Sequence, residues 1–253
     1  MTEREWLIEM EMQELHLDGK PVHPSFSAEV HAPSAFRSRP FPLINGSVYI
    51  AGHDCGTASL NPASVLLQVT PPPHQVHLLG ECIAEPGTSF EVYAPAFVNW
   101  MAERFPGISC STVLHGGDET ARARNGITGE TAQEVAARNG IALNLVSNRW
   151  ADRRGAVDRL LASMVNERSP RFVLSAGSSP VCFDALQGGY WLKQVTQGVN
   201  ALYGEPTKDR FSHPMDALQY AAILFWEWLA SHGGIEKSRR GKARIVEIED
   251  EVD

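Results

Sequence analysis

Ser47-Val-Tyr-Ile-Ala-Gly-His-Asp54 is the stretch on which the reading of this chain turns. Val48, Tyr49 and Ile50 favour an extended backbone, so the stretch predicts a strand that ends on a carboxylate before Cys55-Gly56. Just downstream, Ser64 to Val69 predicts a second strand, Pro71-Pro72-Pro73-His74 a turn, and Gln75 to Ala84 a third strand. Such close spacing implies antiparallel hairpins. Further out, Phe97, Met101 and Phe105 recur at helical spacing and predict a helix over Phe90 to Phe105, stopped by Pro106-Gly107. A fourth strand over Ser111 to His115 leads into Gly116-Gly117-Asp118. A helix over Thr131 to Arg138 stops at Asn139-Gly140, and Ile141 to Val146 forms a fifth strand. Val157, Leu160, Leu161 and Met164 share one face of a helix predicted over Arg153 to Val165. Arg171 to Leu174 and Tyr190 to Val195 read as short extended pieces. A final helix runs from Phe211 to about Ala230, with Ser212 as its N-cap and Pro214 tolerated in its first turn. The order describes an α/β fold: a mixed sheet flanked by helices, in which the first and fourth strands can be neighbours.

The flanks read differently. Residues 1–46 form an irregular lead-in or linker. Within it, Trp6 to Leu15 predicts a short amphipathic helix, and Pro21, Pro24, Pro33, Pro40 and Pro42 disfavour long regular elements. Residues 47–230 hold the folded domain, and 231–253 form a charged tail expected to be mobile. The tail carries Lys237, Arg239, Arg240, Lys242 and Arg244 ahead of an acidic end.

With 253 residues, 43% hydrophobic and 21% charged, the chain has ordinary globular composition. Its formal net charge of -8 argues against coating nucleic acid through charge alone. It is compatible with a carboxylate cluster that holds divalent cations, provided that a local basic patch meets any DNA. Cys55, Cys82, Cys110 and Cys182 form no Cys-x-x-Cys pair, which disfavours a zinc site or a disulfide framework and suits an intracellular setting. No secretion signal precedes the domain, and the apolar stretch from Ala221 to Ala230 is interrupted by Glu227 and too short for a membrane span.

Three aspartates stand out by position: Asp54 ends the first strand, Asp118 lies just past the fourth, and Asp216 sits in the first turn of the last helix. Hard oxygen ligands without a His or Cys cluster suit Mg²⁺ or Mn²⁺ rather than zinc. Two such ions about 3.5–4 Å apart fit phosphodiester cleavage. Each residue also has a plainer explanation. An aspartate after a strand is commonly a turn residue, as Gly52 and Gly56 suggest for Asp54, and one in a first helical turn is commonly a capping charge.

The chain resembles the nuclease domain of phage terminase large subunits. The resemblance lies in Gly52-His-Asp54-Cys-Gly56 with Asn61-Pro-Ala63, in His115-Gly-Gly-Asp118 followed by Thr131-Ala-Gln-Glu-Val135, and in Asn148-Arg149 ahead of Arg153 and Val157. It continues through Leu186-Gln-Gly-Gly-Tyr190 and Lys208-Asp-Arg210-Phe-Ser-His213-Pro-Met-Asp216-Ala-Leu-Gln-Tyr220, spanning roughly residues 18 to 225. The resemblance implies a ribonuclease-H-like fold and an endonuclease that cuts concatemeric double-stranded viral DNA during genome packaging. It implies Asp54, Asp118 and Asp216 as catalytic metal ligands for two Mg²⁺ or Mn²⁺ ions. It further implies a packaging ATPase domain or subunit, a portal and a small terminase subunit as partners, no membrane association, and the cytoplasm of an infected host cell as location. The chain has no Gly-x-x-x-x-Gly-Lys-Ser/Thr loop, so ATP hydrolysis is not expected of this stretch, which reads as an excised domain or a separate nuclease subunit. One departure follows the second aspartate, where Glu119-Thr120-Ala121 replaces the family's small residues and makes Glu119 a further candidate ligand.

Other residues are supporting candidates. His213, one helical turn before Asp216, can orient a ligand or act as an acid, or simply be a buried histidine. Glu81 on the third strand can point toward the site or into solvent. Lys193, Lys208, Arg210, Arg122, Arg124 and Arg149 are candidate phosphate contacts that would position DNA without reading bases. Tyr220, Phe225, Trp226 and Trp228 read as core packing of the last helix, though Trp226 and Trp228 cannot both point inward. Two other functions stay open: a different ribonuclease-H-like enzyme (a resolvase, transposase or hybrid nuclease), or a packaging-motor scaffold inactive in isolation.

Overall fold

The computed structural model describes residues 19–56, 60–126, 128–195 and 203–232. The expected helix over Trp6 to Leu15 and the charged tail lie outside these residues, apart from the tail's first two positions. The main sheet has six strands: β1 (Val48–Asp54), β2 (Ala63–Val69), β3 (Val76–Ile83), β4 (Leu114–Asp118), β5 (Leu143–Val146) and β6 (Phe172–Leu174). They lie in the order β5-β4-β1-β2-β3-β6. β1, β2 and β3 pair antiparallel, as their spacing predicts, whereas β4 joins β1, β5 joins β4 and β6 joins β3 in parallel. β2 is buried along its whole length, as an interior strand covered on both faces should be.

Four helices cover the sheet: α1 (Phe90–Arg104), α2 (Ala132–Arg138), α3 (Trp150–Ala162) and α4 (Ser212–His232). Period-two alternation sends Ile50 of β1 into the core beneath α3 and α4, and Ala51 into a second core beneath α1 and α2. α2 starts on a capping box, in which the Thr131 side chain accepts from the Glu134 N–H and Glu134 accepts from the Thr131 N–H. Along β1 and β4, Gly52 stands opposite Gly116. A Cβ at Gly52 would lie 1.9 Å from the Ala217 carbonyl oxygen, and one at Gly116 would lie 3.2 Å from that of Tyr220. The missing side chains let α4 rest directly on these two strands. Gly52 is therefore a helix-contact residue inside a strand and not part of a turn.

Several expected boundaries move. The fourth strand is Leu114–Asp118, not Ser111 to His115, because Cys110–Thr112 turn as a 3₁₀ segment while His115-Gly-Gly pairs with both β1 and β5. α3 begins at Trp150 and ends at Ala162, where Met164–Asn166 and Ser169–Pro170 form a small hairpin. Ser212 does not cap α4. It is the first helical residue, its hydroxyl donates to the Asp209 carbonyl, and the Asp209 carboxylate accepts the Phe211 N–H. The described part of the lead-in is not wholly irregular. Lys20–Pro21 pairs with Trp191–Gln194, which also pairs with Tyr203–Pro206, and Ala28–His31 forms one helical turn. Trp226 and Trp228 are both half-buried on opposite flanks of α4. The Trp226 indole N–H donates to the Ala156 carbonyl, and Trp228 meets His74 edge-on.

Candidate active site

The β1–β4 register pairs His53 with Gly117, so the next positions, Asp54 and Asp118, end adjacent parallel strands side by side. By alternation both share the face of Gly52 and Gly116, which lies under α4. Asp216, in the first turns of α4, is 5% exposed, and the neighbouring Asp54 charge contributes to its raised pKa. Three distant stretches therefore meet at one end of the sheet.

Each carboxylate is held by its own partners. Asp54 Oδ1 accepts the Gly56 N–H at 3.0 Å, a contact that the left-handed backbone of Gly56 (φ +60°) accommodates, and Asp54 Oδ2 lies 2.7 Å from His213 Nδ1. That contact, above all, raises the His213 pKa. Asp118 Oδ1 accepts the Thr120 hydroxyl at 2.6 Å, and Oδ2 accepts the Tyr220 hydroxyl at 3.1 Å. Asp216 Oδ1 pairs with Arg153 Nη1 at 2.8 Å and is 3.5 Å from the Tyr190 hydroxyl, while Oδ2 is 3.4 Å from Lys208 Nζ. Burial raises the Asp216 pKa, and Arg153 and Lys208 offset part of that rise. At Arg153 burial acts against the charge, but Asp216, Tyr220 and Tyr190 outweigh it and the guanidinium pKa is raised. Among the described residues, no three His, Cys, Asp or Glu side chains stand close enough to form a metal cage as arranged. The donor set itself fits a hard divalent cation, being three carboxylates, with Cys55 turned away into the core beneath α1 and α2.

The other candidates fall out unequally. Glu81 does not serve the site: its oxygens accept the N–H groups of Val181 and Cys182 at 2.7 and 2.8 Å, capping the short helix Pro180–Asp184. Glu119 is exposed in the 3₁₀ turn after Asp118, where Thr120 rather than Glu119 touches the aspartate. Lys208, Arg210 and His213 line a cleft of about 530 Å³ floored by Ile83, Ala84 and Pro214. Arg124 donates to the Gly129 carbonyl and lines a second cavity of about 250 Å³ with Cys55 and Gly56. Arg122 ends the turn after Asp118, Arg149 lies 4.0 Å from Asp152, and Lys193 is exposed on Trp191–Gln194. Arg153, Tyr190 and Tyr220 were not among the expected site residues. All three stand in the stretches that carry the resemblance, where Tyr220 reads as core packing of the last helix and Tyr190 as the start of a short extended piece.

No protein-family model matches the chain, and no curated protein matches it. Solved structures do. The large terminase of a thermophilic bacteriophage superposes with a TM-score of 0.57 at 13% identity, over 83% of this chain and 45% of that one. The chain thus spans less than half the length of that terminase. The nuclease domain of the P22 large terminase gives 0.55 at 14% identity, over 81% of this chain and 92% of that domain. The large terminase nuclease of thermophilic phage G20c, with bound magnesium, gives 0.50 at 12% identity, over 80% and 96%. The mixed sheet and its covering helices therefore have the ribonuclease-H-like fold of large terminase nuclease domains.

Proposed function

We propose that this chain is a divalent-metal-dependent endonuclease that cuts concatemeric double-stranded DNA during viral genome packaging. The observation that carries the reading is the register that sets Asp54 beside Asp118 under α4, the helix that carries Asp216 near enough to feel the Asp54 charge. The shared fold, and the magnesium bound in the G20c nuclease, support it. Asp54, Asp118 and Asp216 would hold Mg²⁺ or Mn²⁺, with two ions expected. Such ions supply a water of lowered pKa and neutralise charge on the leaving oxygen. His213 keeps Asp54 oriented and shares a proton with it at Nδ1. Thr120 and Tyr220 fix both oxygens of Asp118. Lys208 and Arg210, on the wall of the cleft, would meet DNA phosphates without reading bases, with Lys193, Arg122, Arg124 and Arg149 further out. Residues 47–230 would be the nuclease domain, residues 1–46 its link to a packaging ATPase domain or subunit, and 231–253 a charged tail. Portal and small terminase subunit would be the further partners, in the cytoplasm of an infected host cell.

The test is cleavage of supercoiled and linear duplex DNA at low salt with Mn²⁺. Cleavage is expected from the wild type, and background levels from Asp54→Asn and Asp216→Asn. Variants as active as wild type would end the assignment. Cutting confined to four-way junctions or RNA–DNA hybrids would favour another ribonuclease-H-like enzyme. Metal binding without cleavage would favour a packaging-motor scaffold.

A further inference from the structure

Asp216 already has cations. Arg153, whose side chain is 12% exposed, pairs with it at 2.8 Å, and the more exposed Lys208 reaches its other oxygen at 3.4 Å. The same Arg153 Nη1 is 3.3 Å from the Tyr220 hydroxyl, which donates to Asp118 at 3.1 Å. One guanidinium thus spans two of the three carboxylates. Its direction is fixed by the rings of Trp150 and Tyr220, with centroids at 5.6 and 5.4 Å, and its buried Nε has no hydrogen-bond partner. The other arginines of α3 turn elsewhere, Arg154 to Asp158 and Arg159 over Trp226. A buried carboxylate without a counterion is costly, so a cation beside Asp216 stabilises the fold before any metal arrives.

We infer that Arg153, assisted by Lys208, is a resident counter-cation of Asp216 that competes with divalent metal for this carboxylate. The inference rests on the nuclease reading above. Asp54 and Asp118, whose partners are a histidine, two hydroxyls and a backbone N–H, are then the carboxylates an ion meets first, and Asp216 is recruited last. Arg153 is a positioning residue. Released from Asp216, it remains beside Tyr220 and the Asp118 it orients.

The experiment is calorimetric titration of the full chain with Mn²⁺ in the absence of DNA. Arg153→Gln should tighten Mn²⁺ binding by on the order of tenfold, because a unit positive charge leaves a partly buried site. Arg153→Lys keeps the charge and should bind like wild type. Lys208→Gln, at an exposed and screened position, should tighten binding about twofold. Arg153→Gln combined with Asp216→Asn should show no tightening. A residue that merely scaffolds the site would produce the opposite sign, so weaker or unchanged binding by a folded Arg153→Gln overturns the competition. If Arg153→Gln folds only when Mn²⁺ is added, the metal has replaced the missing charge and the inference stands. If it does not fold at all, Lys208→Gln decides, and unchanged affinity there overturns the proposal. Wild type that binds and cuts while Arg153→Gln binds no tighter sinks this inference alone. Absence of Mn²⁺ binding in wild type and Arg153→Gln alike sinks the nuclease reading with it.

Discussion

The two faces of β1 and β4 treat polar side chains in opposite ways. Under α4, Asp54, Asp118 and Asp216 end in ion pairs or charge-assisted hydrogen bonds, and the His213 and Lys208 that hold Asp54 and Asp216 line a cleft. Under α1, one residue earlier on β1, His53 lies in a buried neutral relay. The His115 Nε2–H donates to the Cys110 carbonyl at 2.9 Å, which leaves its Nδ1 to accept from His53 Nε2 at 2.9 Å. His53 Nδ1 then accepts the Ser64 hydroxyl at 2.7 Å. Burial pushes the pKa of both histidines down, so neither needs a counterion. The pleat thus lets two strands carry charge on one side and fully satisfied neutral groups on the other. The charged side faces the opening, and the neutral side supports it from beneath.

The sharpest way to break this contrast is at Gly52. Gly52→Val drives a side chain into the α4 backbone and should cost about 3 kcal/mol or more, measured by urea denaturation. On the other face, a Cβ at Gly117 meets its nearest atom at 3.4 Å, so Gly117→Ala should change stability by less than about 1 kcal/mol. Equal costs would mean that α4 does not depend on the glycine.

Acid separates the faces next. His53, His115 and His77 are neutral when folded, with burial as the leading cause, and His77 is lowered from 6.5 to about 4. Well above pH 6.5, where the unfolded imidazoles are neutral too, they contribute no pH dependence. As pH falls from 6.5 toward 4, the unfolded chain takes up protons that the folded chain refuses, and stability is lost. His77 alone should account for about 1.5 kcal/mol between pH 6.5 and 5. A flat stability profile over that range would contradict the neutral assignment. The smallest effect expected is that of Ser64→Ala. It leaves His53 Nδ1 buried without its donor, at a cost of about 1 kcal/mol in the same denaturation assay. No change there would mean that the relay contributes nothing to stability.

How far the sequence foretold this arrangement depended on the range of the forces involved. Val48–Asp54, Ala63–Val69 and Val76–Ile83 are marked by β-branched runs and a tight turn, and their antiparallel pairing follows from spacing alone. The three aspartates are legible because each punctuates the end or start of an element. The fourth strand was displaced because His115-Gly-Gly has poor strand propensity and is extended only by pairing on both sides. Gly52 resembled a turn residue until a helix from the far end of the chain came to rest on it. Arg153 and Tyr220 escaped for the same reason. A helical period tells which residues face inward, but not that an inward-facing arginine will find Asp216. Glu81 was misplaced because its partners, the N–H groups of Val181 and Cys182, lie in a short helix that no pattern announced.

Crystals soaked in Mn²⁺ and measured at the manganese absorption edge would test the metal centre directly. The expected result is an anomalous peak within coordination distance of carboxylate oxygens from both Asp54 and Asp118, lost in Asp54→Asn. A peak elsewhere on the molecule, or none between those two strand ends at saturating Mn²⁺, would contradict it.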